Sequence, residues 1–260
     1  MYGIRMDKSE QIFIKNNLSF SDSEVREFSD KIRKDGIVEV ENAFLPWVIE
    51  EAQVFVKAKN AEINSGYITL RAEDMPHSIF NRIKESNHLR KFLDRIIEEG
   101  ELPKANSPNI HCVVRSIDGT ENINQKASNK YHFDAYDLTV SMPVLIPFEI
   151  NNHAGDFVLF NRRRSTSHGL IKTLFYKGIF QNKYFQWMAS SEFFFRVFKG
   201  RIVKTKPGSM YIFLGFRTYH GNRKIDTGLV RATALFHYSN PLHPNKIINF
   251  IEARRKRPQN

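Results

Sequence analysis

In the first hundred residues apolar side chains recur three and four positions apart, and further on they fall into short runs broken by turn residues. The first texture predicts helices. Ser21 and Glu24 have capping-box spacing, Val25, Phe28 and Ile32 share one helical face, and Gly36 ends the helix. Ile37-Val38-Glu39-Val40 is a short strand. Pro46 opens a second helix with Val48, Ala52 and Phe55 on one face. From Lys57 to Arg82 no period stands out. Leu89, Phe92, Leu93, Ile96 and Ile97 then form an apolar stripe that ends at Gly100. Residues 1–18 read as an arm or irregular cap, and 19–108 as a mainly helical layer with one strand.

After Pro108 strands are predicted over Ile110–Ile117, Tyr131–Val140, Val144–Ile150, Phe157–Phe160, Ile202–Lys206, Met210–Leu214 and Val230–Tyr238. Gly119, Asn151-Asn152, Pro207-Gly208 and Thr227-Gly228 separate them. Many short strands after a helical block predict an α+β fold, mainly β with flanking helices. Its core is a double-stranded β-helix, a cupin-like jelly roll over 109–242. One domain covers the chain, with a basic tail at 243–260 that includes Arg254-Arg255-Lys256-Arg257. An insertion at about 169–200 interrupts the strands. Its segment from Tyr184 to Phe198 is dense in aromatic residues and reads as a helix on the barrel wall. A lid over the pocket and a membrane-touching element are the alternatives.

Composition narrows the class. The chain has 22 phenylalanines, which fits an aromatic core or apolar pocket, and a net charge of +11. That charge leaves two readings open: an anionic partner, or a basic surface kept for solubility. The single cysteine, Cys112, excludes an internal disulfide and a thiolate-rich zinc site, and its apolar surroundings make it a core residue. The N-terminus carries charges where a secretory signal needs apolar residues, and Leu138–Phe148 is too short to span a bilayer. A cytoplasmic, reducing location is the expectation.

The chemistry centres on Tyr131-His132-Phe133-Asp134-Ala135-Tyr136. As a strand it projects His132 and Asp134 to one face, with Tyr136 beside them as a pocket candidate and Asp137 turned away. Two such ligands, with one more histidine, make the facial set that holds a non-haem Fe(II) and leaves positions open. His220 fits best, because Arg231 follows eleven residues later at the start of the next apolar run. A guanidinium there can clamp a carboxylate, with Thr233 two residues along the same face. Together they imply a bidentate 2-oxo acid on the metal and one position for dioxygen. His153 and His168 lie in loop-like stretches, and His77, His88, His111, His237 and His243 are not followed at that spacing by an arginine that opens a strand-like run. Arg162, Arg163 and Arg164 form either a solvated turn or an anion clamp at the pocket mouth.

His132-x-Asp134, His220 and Arg231 resemble the Fe(II)/2-oxoglutarate-dependent dioxygenases. Lys34–Phe44 and the helices around it are similar to the phytanoyl-CoA dioxygenase branch, as is Pro207–Phe213 followed by His220-Gly221-Asn222. The stretch from Phe160 to His168 departs from the Pro-Gly-Ser-His turn usual in that branch. The resemblance implies Fe(II), 2-oxoglutarate and O2 as cofactor and cosubstrates, release of succinate and CO2, and oxidation of a C–H bond. Asp134 being a carboxylate favours hydroxylation over halogenation. The substrate expected is a small molecule, anionic or of acyl or glycolipid type. A nucleic-acid dioxygenase would carry a second arginine where His237 stands, and a protein hydroxylase would anchor the oxo acid with lysine. A non-catalytic jelly-roll binder is the alternative from another class.

Overall fold

The computed structural model describes residues 11–102, 109–120, 123, 128–147, 155–163, 180 and 182–240. It opens with a short helix α1 (Ile14–Leu18). Residues 11–18, within the stretch expected to be an arm or irregular cap, pack against the fold. Ile12, Phe13 and Leu18 are buried, and Phe13 pairs with Phe44 through a β-bridge and a ring contact at 5.5 Å.

Helix α2 (Asp22–Asp35) starts at the predicted capping box. Ser21 Oγ accepts from the Glu24 amide at 3.3 Å, and the Glu24 carboxylate accepts from the Ser21 amide at 2.9 Å. It ends at Gly36, whose N–H donates to Ile32 O. Strand β1 (Ile37–Val40) and helix α3 (Pro46–Ile63) follow as expected. The stretch without a clear period holds β2 (Tyr67–Arg71), a 3₁₀ turn and α4 (Ile79–Glu85), so this half contains two strands. Both elements are faint in sequence for physical reasons. β2 is an edge strand with one face exposed, and α4 is two turns long with Ile79, Phe80 and Ile83 buried. In α5 (Asn87–Glu99) the whole predicted stripe is buried, at about 1.5–3 kcal/mol per large side chain.

The strands form two antiparallel sheets of a jelly-roll core. The larger has the order β1-β7-β4-β9-β3-β2, with β3 (His111–Asp118), β4 (Leu138–Leu145), β7 (Met210–Phe213) and β9 (Val230–Tyr238). The smaller has the order β6-β5-β8, with β5 (Phe157–Arg163), β6 (Gly200–Val203) and β8 (Thr218–Asn222). Two corrections concern strand limits. Across the predicted strands Tyr131–Val140 and Val144–Ile150 the described residues hold the single β4, in which Pro143 sits where the register shifts against β9, and 148–150 lie outside the described residues. Gly221-Asn222, whose residue types would suit a turn after His220, instead completes β8.

Strand alternation sorts the large sheet into two faces. Cys112, Val114, Val140, Met142, Ile212, Ala232, Ala234 and Phe236 join the core beneath α2–α5, and burial pushes the Cys112 thiol up. The opposite face carries Thr139 and Ser141 of β4, Arg231, Thr233, Leu235 and His237 of β9, and His111 and Arg115 of β3, which the register places side by side. Ile37, Tyr211 and Phe213 of this face meet Phe157 and Leu159 of β5, closing the space between the sheets.

The aromatic insertion forms two short helices, α6 (Lys183–Ala189) and α7 (Glu192–Val197). Phe185, Ala189, Phe194, Phe195 and Phe198 pack on Tyr131, Phe133, Phe160 and Tyr219. That is the outer face of the small sheet, so the described helices lie on its wall and not over the space between the sheets. Among the described residues no helix is long and apolar enough to cross a membrane.

Candidate metal centre

His132, Asp134 and His220 converge, with one potential ligand atom from each lying within 4.8 Å of the others. The segment carrying the first two is not a regular strand, as its spacing suggested. His132 makes an isolated bridge to His220, its N–H donating to His220 O at 2.8 Å while the His220 N–H donates to His132 O at 3.0 Å. The chain then bends over residues 135–137 before β4 begins. Asp134 is fixed instead by its own N–H, which donates to Gly215 O at 2.8 Å.

Each imidazole is oriented by a backbone carbonyl two residues earlier. His132 Nδ1 lies 2.8 Å from Lys130 O, and His220 Nδ1 lies 2.8 Å from Thr218 O. A carbonyl only accepts, so each ring carries a proton on Nδ1 and turns its Nε2 to the site. Those nitrogens face Asp134, at 3.4 Å for His132 and 3.5 Å for His220. Burial alone would raise the Asp134 carboxyl, but the facing imidazoles of His220 and His132 outweigh it and hold the group well below the usual carboxylate range. Asp134 and His220 are nearly enclosed, whereas the His132 side chain is 29% exposed, so the centre opens on the His132 side. Two imidazoles with Nε2 turned to one point and one carboxylate beside them fit a divalent transition metal such as Fe(II).

Sequence reasoning missed the layer behind Asp134. Thr139 Oγ1 donates to Asp134 Oδ2 at 2.6 Å and lies 3.0 Å from His237 Nδ1. A hydroxyl has one proton, so His237 must be the donor in the second bond. Burial pushes the His237 imidazole down to about 4, keeping it neutral in that role. Tyr136 stacks on His237 with centroids 5.0 Å apart and touches His111 at 5.3 Å, a position it reaches through the bend and not through strand alternation. Asp137 does point elsewhere, accepting from Ser239 Oγ at 2.9 Å. Gly215 is required by space: a Cβ there would lie 2.4 Å from Asp134 Oδ2 and 2.5 Å from Thr139 Oγ1. Gln186 of α6 clasps the backbone just before His132, accepting from Tyr131 N–H at 2.8 Å and donating to Tyr131 O. The even spacing of 231, 233, 235 and 237 on β9 was the signal that could have placed His237 on the pocket face.

Arg231 and Thr233 share that face, at 6% and 5% exposure. The Arg231 guanidinium has no ion pair among the described residues, and Thr233 Oγ1 has no hydrogen-bond partner there. Burial lowers the Arg231 guanidinium to about 10, against the attraction of Asp156, so it remains a cation at neutral pH. Gly155, with φ 71°, lets the backbone pass close to this side chain; a Cβ would lie 2.9 Å from Arg231 Cδ. Arg162 and Arg163 close β5, and Arg164 lies outside the described residues.

No protein-family model matches the sequence, and no curated protein matches it either. Solved structures do. A Pseudomonas putida prolyl-4-hydroxylase superposes with a TM-score of 0.50 at 10% identity, over 83% of this chain and 94% of that one. The non-heme alpha ketoglutarate dependent epimerase SnoN from nogalamycin biosynthesis gives 0.52 at 12% identity, over 84% of this chain and 82% of that one. A Phytophthora capsici prolyl 4-hydroxylase gives 0.52 at 11% identity, over 94% and 78%. At such identities the likeness is one of architecture, and it is consistent: the chain has the jelly-roll fold of the Fe(II)/2-oxoglutarate oxygenases.

Proposed function

We propose that this protein is an Fe(II)- and 2-oxoglutarate-dependent oxygenase that hydroxylates a C–H bond of a small anionic substrate. The observation that carries this reading is the set of two pre-oriented Nε2 atoms and one buried carboxylate, all facing one point. His132, Asp134 and His220 would hold the iron. Arg231 and Thr233 would hold the far carboxylate of 2-oxoglutarate, giving a buried cation and an unpartnered hydroxyl the partner each lacks among the described residues. With iron and dioxygen, 2-oxoglutarate supplies the oxidising equivalents for hydroxylation and leaves as succinate and CO2. The narrower likeness to the phytanoyl-CoA dioxygenase branch rests on the sequence motifs that suggested it.

Support for an anionic substrate comes from β3 and β2. Arg115 faces the pocket side opposite Thr233, and Thr69 of β2 pairs with Arg115, which places Arg71 diagonally beside it. Both arginines are exposed and neither has an ion pair among the described residues. Strand spacing puts the Cα of Arg71 about 12 Å and that of Arg115 about 14 Å from that of His237. A substrate of one or two ring lengths can therefore place an anionic group there and a C–H bond near the metal ligands. Like charges on neighbouring strands repel, so an anion between them is stabilised.

The reading is tested by melting the protein anaerobically with Fe(II), then with Fe(II) plus 2-oxoglutarate. Both additions should raise Tm. His132→Ala should lose both shifts, and Arg231→Met only the second. An intact protein that shows neither shift would refute the assignment. Substrate-dependent succinate release, lost in Arg71→Ser/Arg115→Ser while the 2-oxoglutarate shift persists, tests the substrate class separately.

A further inference from the structure

Helices α6 and α7 carry large apolar side chains on their outward as well as their inward sides. Their inner faces already have a partner in the small sheet. Their outer faces carry Tyr184, Trp187 and Met188 at i, i+3 and i+4 on α6, with Phe193 and Val197 at i and i+4 on α7. Tyr184 is 84% exposed, Trp187 80% and Phe193 77%, and Met188 and Val197 are exposed as well. Large apolar side chains on the outward side of a helix are normally covered, and three aromatic rings this exposed on two consecutive short helices are more than the occasional exposed apolar residue. Nothing in the jelly roll requires them, because Phe185, Phe194, Phe195 and Phe198 make the packing that holds these helices on the sheet.

We propose that this outer face docks onto the interfacial zone of an anionic lipid bilayer. The side chains are of the kind that settles at the headgroup level, with tryptophan and tyrosine beside aliphatic and phenylalanine wedges. Two exposed cations border them, Arg196 and Lys199, neither with an ion pair among the described residues. The acidic residue of α7, Glu192, is engaged by Arg223 at 3.2 Å, and that arginine also lies 4.6 Å over the ring of Phe195. The net charge of +11 draws the whole chain toward an anionic surface. The same charge repels a second copy. Val158 and Phe160 of β5 and Tyr219 of β8 face these helices, while Leu159 and His220 point the other way. The bilayer would thus meet the wall and leave the metal centre's side of the sheet free. This inference is independent of the proposed chemistry.

The test uses the full chain and vesicles of phosphatidylcholine with and without phosphatidylglycerol. The chain has two tryptophans, so a Trp47→Phe background makes Trp187 the sole reporter. Binding to the phosphatidylglycerol vesicles, weakened by salt and accompanied by a shift of Trp187 emission to shorter wavelength, is the expected result. Tyr184→Ser/Phe193→Ser should lower the partition constant on the order of tenfold or more without moving Tm, and Arg196→Glu/Lys199→Glu should remove the phosphatidylglycerol preference. Vesicle binding with unchanged Trp187 emission, or equal binding by the aromatic variant, would overturn the proposal. So would failure to bind, or concentration-dependent self-association that shifts Trp187 without vesicles.

Discussion

Thr139→Val isolates the layer behind the metal ligands. The substitution is nearly isosteric, so β4 and its packing should persist. It deletes the donor to the Asp134 carboxylate at 2.6 Å and the acceptor for His237 Nδ1–H at 3.0 Å. A hydrogen bond to a charged group contributes about 1.5–3 kcal/mol, and a buried donor left without a partner costs about 1–3 kcal/mol. The summed loss is on the order of 3–5 kcal/mol in the metal-free protein, an upper range because a water can replace part of it. Asp134 would also be freer to rotate away from the Nε2 atoms, and losing such a supporting contact typically weakens metal binding about 10–100-fold. Anaerobic titration with Fe(II), or with Mn(II) as a redox-stable substitute, measures the affinity; denaturant unfolding of the metal-free protein measures the stability. Thr139→Ser should restore both because it keeps the hydroxyl. If Thr139→Val binds metal as tightly as the parent, the relay from His237 through Thr139 to Asp134 does not position the ligand, and the reasoning fails.

Three further outcomes follow from the same region. Gly215→Ala should fold but lose metal-induced stabilisation, since the new methyl displaces the Asp134 carboxylate; a normal metal shift in Tm would contradict this. Gln186→Leu leaves the Tyr131 N–H and C=O without their side-chain partner, so it should destabilise by about 1–3 kcal/mol and lower metal affinity as well as Tm. A loss of Tm with unchanged affinity would show that the clasp only braces the helices. Acid should destabilise the metal-free protein through His237. Its folded value of about 4 lies below the unfolded value near 6.5, so the unfolded chain takes up a proton the folded one refuses as pH falls between them. The stability present above about pH 6.5 should drop by up to about 3 kcal/mol by pH 4, and His237→Gln should flatten that slope in denaturant titrations.

The sequence was most legible where one residue type has one physical job. The Ser21–Glu24 capping box, the α5 stripe and the buried runs of β7 and β9 fall where periodicity put them. The candidate ligand set could be proposed from sequence because His132-x-Asp134, His220 and Arg231 are chemically distinctive at their spacing, and the first three converge in the fold. β8 was not, because Thr218-Tyr219-His220-Gly221-Asn222 puts its ligand on one face and a single aromatic on the other, and then imitates a turn. The bend at 135–137 escaped for a related reason. Tyr131 to Val140 alternates well enough to pass for a strand, and only the bonds from His132 to His220 and from Asp134 to Gly215 show what holds it. Thr139 and Gln186 are common residues whose roles arise from tertiary placement, which no local signal carries.

The bridge between His132 and His220 has a consequence for how the centre comes into being. Two of the three candidate ligands are tied by reciprocal peptide hydrogen bonds, so their separation is set by main-chain geometry and is reached when the chain folds. The ordering entropy of those residues is then met by folding, and an arriving ion has little left to organise. The amides of His132 and His220 should accordingly resist hydrogen exchange in the metal-free protein nearly as well as in the loaded one. An ion bound at the proposed centre would fill a socket that the backbone has already cast.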